Sequence, residues 1–301
     1  MLVHMGHAMD NGFWSKFIFW QTSQMTGDVG VFIADSALWA YQPKQGESAA
    51  IISQFLVQKN DWSQAFEALK SQFGHVRVQL VLSQQYYQLL QADKPNVEPS
   101  EVTQALLWSV KDMVSEPIAN IHLDYFESSF IASSKVNVVV SSRHFLTQLA
   151  SACDDCGLEI VGISIEELAL SHVLANDNMA HMLVAHLPEK ELLLLVVKAG
   201  EVLMQRRVRG FNQLDKATLE ELKQGIADNL SLEIQRSMDY FESQLRQAPV
   251  GSISLLVEGA SSSLASLVGV NFNQNVIAIA HDGIANLLAQ LALQELTRGE
   301  G

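Results

Sequence analysis

One long amphipathic stripe constrains the fold more than any other feature of this sequence. Between residues 219 and 245 the apolar residues recur at steps of three or four: Leu219, Leu222, Ile226, Leu230, Ile234, Met238, Phe241 and Leu245. This spacing lines one face of an α-helix, and such a face must be buried against another element. We therefore predict a helix from about residue 215 to residue 247. Gly225 and Asn229 are poor residues for a helix interior and are the places where it would kink or split.

Length, composition and charge describe a globular protein of more than one domain. With 301 residues the chain exceeds a typical single domain, so we expect two. The net charge of -14 would repel phosphate backbones and anionic lipid headgroups, so we expect no nucleic-acid partner. No apolar run is long enough to span a membrane, and the amino terminus lacks the features of a signal peptide. Two cysteines without an export signal favour a reducing, cytoplasmic setting.

The first 26 residues form a segment distinct from the rest of the chain. It carries large apolar side chains with a single basic residue among them: Phe13, Trp14, Lys16, Phe17, Ile18 and Trp20. On a helix these side chains would cover one broad face. The segment could then lie on a membrane surface, dock on a partner, or pack on its own domain. Contact of residues 13–20 with lipid, and hence peripheral membrane association, is one of these hypotheses.

Periodicity and turn residues predict most of the remaining elements. A hairpin is expected over residues 28–41, and Ile51 to Leu56 fits either a short strand or a helix. Helices are expected at 61–73, after Ser100, at 145–156 and near 284–296, and two of them end at Gly74 and Gly157. Strands are expected at 76–82, 136–141 and 253–257, and a three-stranded meander at 182–187, 191–198 and 201–208.

Residue pairs that could suggest chemistry are interpreted as structural. Cys153 and Cys156 close a predicted helix, where the helix dipole does not lower a thiol pKa, and no further zinc ligands lie nearby. His181 and His186 are five residues apart on a strand and so face opposite sides. The adjacent pair Glu166-Glu167 is expected to be solvated. The common nucleotide-binding, hydrolase and zinc-protease motifs are absent, so we predict no catalytic residue, no metal site and no cofactor.

Several short strings resemble the PilM-like actin-fold proteins of type IV pilus assembly. Residues 230–241 resemble a family helix that carries an E-I-x-R-S-x-x-F string, and Ser142-Arg143 matches an S-R pair before another helix. Residues 122–126 stand where the family has a strand reading x-L-D-F. The resemblance covers about residues 27–297 and implies a duplicated actin-like, ribonuclease H-like α/β fold. Domain I would span 27–178 with an inserted α+β subdomain at about 75–140, and a reduced domain II would span 179–301.

The resemblance also shows which nucleotide-binding positions have changed. In ATP-binding relatives, two turns cradle phosphates through an aspartate and through glycine amides. Here Phe32 and Ala34 stand at the aspartate and glycine of the first turn, and His186 and Pro188 stand at those of the second. A glycine pair that lies against adenosine is reduced to one glycine beside Glu258. The small subdomain that covers adenosine is also missing, because the chain passes from residue 208 almost directly to the long helix.

The resemblance implies a component of an assembly platform at the inner membrane, and the changed positions Phe32, Ala34 and Pro188 favour a non-catalytic scaffold. A PilM-like protein is a cytoplasmic component of the pilus assembly platform. It binds the cytoplasmic tail of a bitopic, PilN-like membrane protein and couples it to the pilus motor ATPase. Two alternatives stay open: an ATP-binding actin-like ATPase with divergent phosphate loops, and a soluble domain unrelated to pili. The contact residues for the tail are not assigned by any motif.

Overall fold

The computed structural model describes residues 27–298, apart from residues 45, 47–48, 59–60 and 132–133. The amino-terminal segment and the hypothesis that residues 13–20 contact lipid lie outside the described residues. The contacts between residues divide the chain into two units. Unit 1 comprises the chain up to Glu127, Ser133–Glu166 and the chain from Leu288 onward, and unit 2 comprises Ser128–Ala132 and Glu167–Leu287. The domain limits inferred from the sequence stay a prediction beside this division.

A five-stranded mixed sheet forms the centre of unit 1. Its strands are β1 (Asp28–Ile33), β2 (Ala37–Gln42), β3 (Ile51–Leu56), β4 (Arg77–Leu82) and β8 (Glu159–Ile165), in the order β3-β2-β1-β4-β8. β1, β2 and β3 form an antiparallel meander, whereas β4 and β8 run parallel to β1. Helices α1 (Trp62–Phe73) and α3 (Arg143–Asp155) contact each other. Each helix buries one apolar face, and this burial helps to stabilise the unit.

A smaller antiparallel sheet is inserted between β4 and α3. It is made of β5 (Tyr87–Asp93), β6 (Ile121–Phe126) and β7 (Lys135–Ser142), in the order β5-β7-β6. Helix α2 (Val102–Val110) packs on it through Val102, Leu106 and Val110, which join a separate apolar core with Val138. This insertion matches the α+β character predicted for it.

Unit 2 repeats the strand order of unit 1. Its strands are β9 (His181–His186), β10 (Leu192–Lys198), β11 (Glu201–Val208), β12 (Ser252–Val257) and β13 (Asn275–Ala278), in the order β11-β10-β9-β12-β13. β9, β10 and β11 form an antiparallel meander, and β12 and β13 run parallel to β9. The same order and the same strand directions therefore occur twice in one chain, as a duplicated fold requires.

The long amphipathic stripe forms two helical pieces with an irregular turn between them. Helix α5 (Leu219–Glu221) begins at a Thr218 capping box and continues into a π-type segment, Leu222–Ile226. Gly225 there has φ +127°, which an L residue rarely adopts. The main helix α6 (Ala227–Ser243) follows and buries Leu230, Ile234, Met238 and Phe241. The break predicted at Gly225 is confirmed, whereas Asn229 lies inside an unbroken helix.

The remaining helices are α4 (Glu166–Ser171), α7 (Ser261–Gly269), α8 (Ile284–Ala292) and α9 (Glu295–Arg298). In unit 1 the α8 backbone lies against β1 at Gly30. A Cβ on Gly30 would collide with the backbone oxygen of Ala289 and lie 3.2 Å from the side chain of Ala292. Glycine at this position therefore lets the helix backbone touch the strand.

Three features differ from, or add to, the sequence-based expectation. The pair Glu166-Glu167, expected to be solvated, is buried, and each residue is only 1% exposed. A buried carboxylate needs a partner, and Glu167 accepts a hydrogen bond of 2.7 Å from Arg207 while Glu166 accepts one from the Gln84 amide. Strands β5 and β13 were not predicted. Ile51–Leu56, left open between strand and helix, is a strand.

Candidate functional site

The first turn that could hold a phosphate follows β1, and its groups are already engaged. Phe32, at the aspartate position of the motif, is 1% exposed and packs in the core. The Ala34 amide donates to the Ala37 carbonyl at 2.9 Å, which closes the hairpin turn on itself. Asp35 accepts a hydrogen bond from Ser83 at 3.3 Å. An aspartate that could hold a metal and an amide free to meet a phosphate are therefore both missing at these positions.

The second turn, between β9 and β10, is also poorly suited to an anion. Pro188 has no amide proton, and the Lys190 amide donates to the Leu187 carbonyl at 3.1 Å. Glu189 sits at φ +64° and pairs through its carboxylate with Lys216 at 3.0 Å. The turn thus places a carboxylate where the motif requires phosphate-binding amides.

His186 ends β9 inside unit 2 and is fully buried. Neither ring nitrogen has a hydrogen bond of good geometry to any described residue. Burial lowers the pKa of His186, although the carboxylates of Asp215 and Glu258 act in the opposite direction. Glu258 itself accepts the Ile284 amide at 3.1 Å, so its carboxylate caps the start of α8.

Gly259, which the resemblance aligns with an adenosine-facing glycine pair, lies against another part of the chain. A Cβ on Gly259 would lie 3.2 Å from the Asp215 carbonyl carbon and closer still to its oxygen. Asp215 belongs to the short turn Leu214–Lys216, which begins six residues after the end of β11. The backbone of this turn therefore fills the space beside Gly259.

The polar residues of α6 form a local network. Glu233 accepts a hydrogen bond of 2.7 Å from Arg206 on β11 and a second one from Arg236, one turn further along the helix. Arg206 also donates to the Ser237 hydroxyl at 3.1 Å. The bonds from Arg206 hold α6 to β11, so Glu233 and Arg236 are engaged in structural polar contacts.

A groove of about 340 Å³ lies in unit 1, between α1 and α3 and the inserted sheet. Its aromatic wall is a cluster of three rings. Tyr86 and Phe145 stack with centroids 4.3 Å apart, and Trp62 meets each of them edge-on at 5.8 Å. Burial raises the pKa of Tyr86 to about 12, so its hydroxyl stays a neutral donor. Polar groups complete the lining, with Gln85, Gln88, Ser115, Glu116, His144 and Gln148 among them.

Sequence reasoning predicted the helix that carries Trp62 but did not identify this groove. Its three aromatic rings come from residues 62, 86 and 145, and no local pattern connects them. Only the pairing of β5 with β7, beside α3, brings the rings together. A strand predicted over residues 87–93 would have indicated one side of this groove, but the sequence analysis did not predict that strand.

Metal and thiol chemistry find no support among the described residues. That part of the chain contains no group of three or more His, Cys, Asp or Glu side chains placed to hold a metal ion. Cys153 and Cys156 are both buried, and burial raises the pKa of each thiol. Neither cysteine has the low thiol pKa of a redox-active residue, which agrees with the structural role inferred for the pair.

Comparison with solved structures identifies the fold. No family model and no curated protein matches the sequence. The PilM-PilN type IV pilus biogenesis complex aligns over 89% of this chain and 98% of its own, with a TM-score of 0.62 and 16% identity. The cytoplasmic domain of EpsL, an inner membrane component of the type II secretion system of Vibrio cholerae, aligns over 89% and 94%, with a TM-score of 0.56 and 15% identity.

A third similar structure carries the name of the fold. A Bacteroides thetaiotaomicron protein with an actin-like ATPase fold and unknown function aligns over 88% of this chain and 95% of its own, with a TM-score of 0.52 and 9% identity. At such identities the likeness establishes the fold alone. The chain therefore has a duplicated actin-like α/β fold, as predicted. Among the described residues, no helix combines the length and apolarity needed to cross a bilayer.

Proposed function

We propose that this protein is a non-catalytic scaffold of a type IV pilus assembly platform at the cytoplasmic side of the inner membrane. It binds the cytoplasmic tail of a PilN-like membrane protein and couples that protein to the pilus motor ATPase. Its association with the membrane is peripheral and depends on this partner. The proposal agrees with the structural likeness to the PilM-PilN complex and to EpsL.

The observation that carries the non-catalytic part is the close approach of Asp215 to Gly259. A nucleotide needs space and donors at each of its contact positions, and the chain supplies neither. The Asp215 backbone fills the space beside Gly259, and Pro188 and Ala34 offer no free amide. The absence of nucleotide-binding groups at three separate positions supports an actin-like protein that does not bind ATP.

The groove beside the inserted sheet is the best candidate for the tail-binding site. A peptide needs an apolar anchor point and a polar rim, because most binding energy comes from a few buried contacts. The stacked rings of Tyr86 and Phe145 provide the anchor surface. Glu116 and His144 lie on the rim, and in a protein with net charge -14 this rim favours a tail with basic residues.

Within the PilM-like family we assign the chain to the branch represented by MshI of the mannose-sensitive haemagglutinin (MSHA) pilus system. The support is the order of many short strings along residues 27–297 together with the missing adenosine-covering subdomain. The platform partner would then be the PilN-like protein of that system.

Binding of a synthetic peptide with the sequence of that partner's cytoplasmic tail tests the proposal. In fluorescence anisotropy, the full-length protein should bind the labelled peptide, and Glu116→Lys should weaken binding several-fold because it reverses a rim charge. Glu98→Lys is the matched control, since Glu98 is exposed, carries the same charge and lies outside the groove. If the peptide does not bind, or if both variants weaken it equally, the proposed site is wrong.

A thermal melt with and without Mg-ATP tests the alternative function. A ligand present at 100 times its Kd adds roughly 2.7 kcal/mol of stability, which a melting experiment detects easily. We expect no shift of the melting temperature. A clear upward shift with Mg-ATP, absent with Mg²⁺ alone, would establish that the divergent loops still bind nucleotide.

A further inference from the structure

The outer strand of the unit 1 sheet is unpaired along one side. β3 pairs with β2 in an unbroken register from Ile51 to Leu56, without a bulge. Within the part of the chain that the structure describes, no strand pairs with the other side of β3. A strand of this length presents a row of backbone donors and acceptors that can add another strand.

The chemistry of this edge does nothing to prevent such pairing. From Ala49 to Gln58 the sequence contains no charged residue and no proline. Proteins usually protect an exposed edge with lysine, proline or a bulge. The strand at the same place in the order of unit 2, β11, does carry charges, namely Glu201, Arg206 and Arg207. The equivalent outer strands of the two duplicated sheets therefore differ in charge.

The two faces of β3 also differ. On one face, Phe55 meets the Phe73 ring of α1 edge-on at 6.3 Å, and the Ser53 hydroxyl accepts a hydrogen bond from Gln72. On the other face the alternating residues Ile52, Gln54 and Leu56 are all exposed, with Ile52 at 40% and Leu56 at 64%. One face is held by its own unit, and the other offers apolar side chains to an incoming strand.

We propose that β3 pairs antiparallel with β3 of a second copy of this chain, about a two-fold axis at Gln54. Residues directly opposite each other on neighbouring strands lie on the same face of the sheet. In a two-fold pair each residue therefore faces one an even number of positions away in the sequence. The axis, midway between the strands, is thus level with one residue of β3 and not with a peptide bond between two. With the axis at Gln54, Ile52 of each copy faces Leu56 of the other, and the two Gln54 side chains face each other. The pairing is then self-complementary, with two apolar pairs around one amide pair.

The self-complementary pattern of Ile52, Gln54 and Leu56 favours a second copy of this chain as the occupant of the edge. The whole chain carries -14, so two copies repel each other at most surfaces. The edge of β3 carries no charged residue that would add to this repulsion, and its apolar pattern matches itself when reversed. The pairing does not depend on the proposed function, because it uses neither the groove nor the phosphate turns.

Sedimentation velocity of the full-length protein across a micromolar concentration series tests the pairing. We expect a shift from monomer to dimer as the concentration rises. Ile52→Lys and Leu56→Lys should each restore the monomer, because lysine is a charge that blocks an edge. Val270→Lys is the matched control: Val270 is 84% exposed on unit 2, and the substitution adds the same charge away from β3. Unchanged circular dichroism shows that the variants fold.

Cysteine cross-linking tests the register. Both native cysteines are buried, so Gln54→Cys supplies one accessible thiol at the proposed axis. Mild oxidation should convert this variant to a covalent dimer. The Gln58→Cys control should form no covalent dimer, because its two thiols would be roughly 26 Å apart at 3.3 Å per residue. A monomer at all concentrations, or a dimer that survives both lysine substitutions, would overturn the proposal. A parent that becomes dimeric only after removal of residues 1–26 would instead assign the edge to that segment.

Discussion

Replacing Gly259 with alanine tests the close approach of the Asp215 backbone to Gly259. Gly259 has φ +81°, and the added methyl would lie 3.2 Å from the Asp215 carbonyl carbon and closer to its oxygen. A positive φ costs an L residue about 1–2 kcal/mol, and forcing a methyl group into filled space costs about 1–3 kcal/mol. The free energy of unfolding should therefore fall by about 2–5 kcal/mol, the sum of these two ranges.

Gly210→Ala is the matched control, because Gly210 has φ +95° but no atom within 4 Å of its missing Cβ. It should lose only the backbone part, about 1–2 kcal/mol. Urea unfolding followed by circular dichroism is the assay, since all five tryptophans lie at or before residue 108 and do not report on unit 2. Equal losses in the two variants would refute the close approach. A stable Gly259→Ala protein that has lost binding of Mg-ATP would refute the scaffold proposal as well.

Three further predictions concern buried polar groups. Burial lowers the pKa of His186, so the unfolded chain binds a proton that the folded chain excludes, and stability should fall as pH drops below about 6.5. In His186→Gln the urea midpoint should change less between about pH 7 and 5, and an unchanged slope would contradict this. Arg207→Met deprives Glu167 of its arginine and should lower the urea-derived unfolding free energy by about 3–5 kcal/mol, and a loss below about 1 kcal/mol would contradict it. Cys153 and Cys156 should react slowly with a thiol reagent until the chain unfolds, so rapid labelling of the folded protein would show an exposed thiol.

The degenerate phosphate turns show how far residue identity alone can lead. In the sequence, Phe32 and Pro188 favour the hypothesis that phosphate binding is lost, because neither side chain offers a metal ligand and proline has no amide proton. Whether Ala34 kept a free amide was a different question. Its hydrogen bond to Ala37 depends on how tightly the hairpin closes, and the sequence does not specify that distance.

Glu166 and Glu167 show the opposite case. Adjacent carboxylates normally lie in solvent, so the sequence favoured a solvated pair. The structure buries both, because Arg207 and the Gln84 amide approach from distant parts of their units. The partner of Glu167 is 40 residues away in the sequence, and that of Glu166 is 82 residues away. No local sequence pattern therefore predicts that the two carboxylates are buried.

The sequence by itself determined the elements whose apolar spacing repeats over several turns or strands. These are the amphipathic stripe with its break at Gly225, the meander of unit 2, and helices α1 and α3. Their buried faces follow from the spacing of apolar residues along the sequence. Only the tertiary structure decided which distant residues lie against each other: Asp215 against Gly259, three distant rings along one groove, and β3 as an uncharged outer strand. Such contacts join residues far apart in the chain, and their distances follow from packing, which no local pattern encodes.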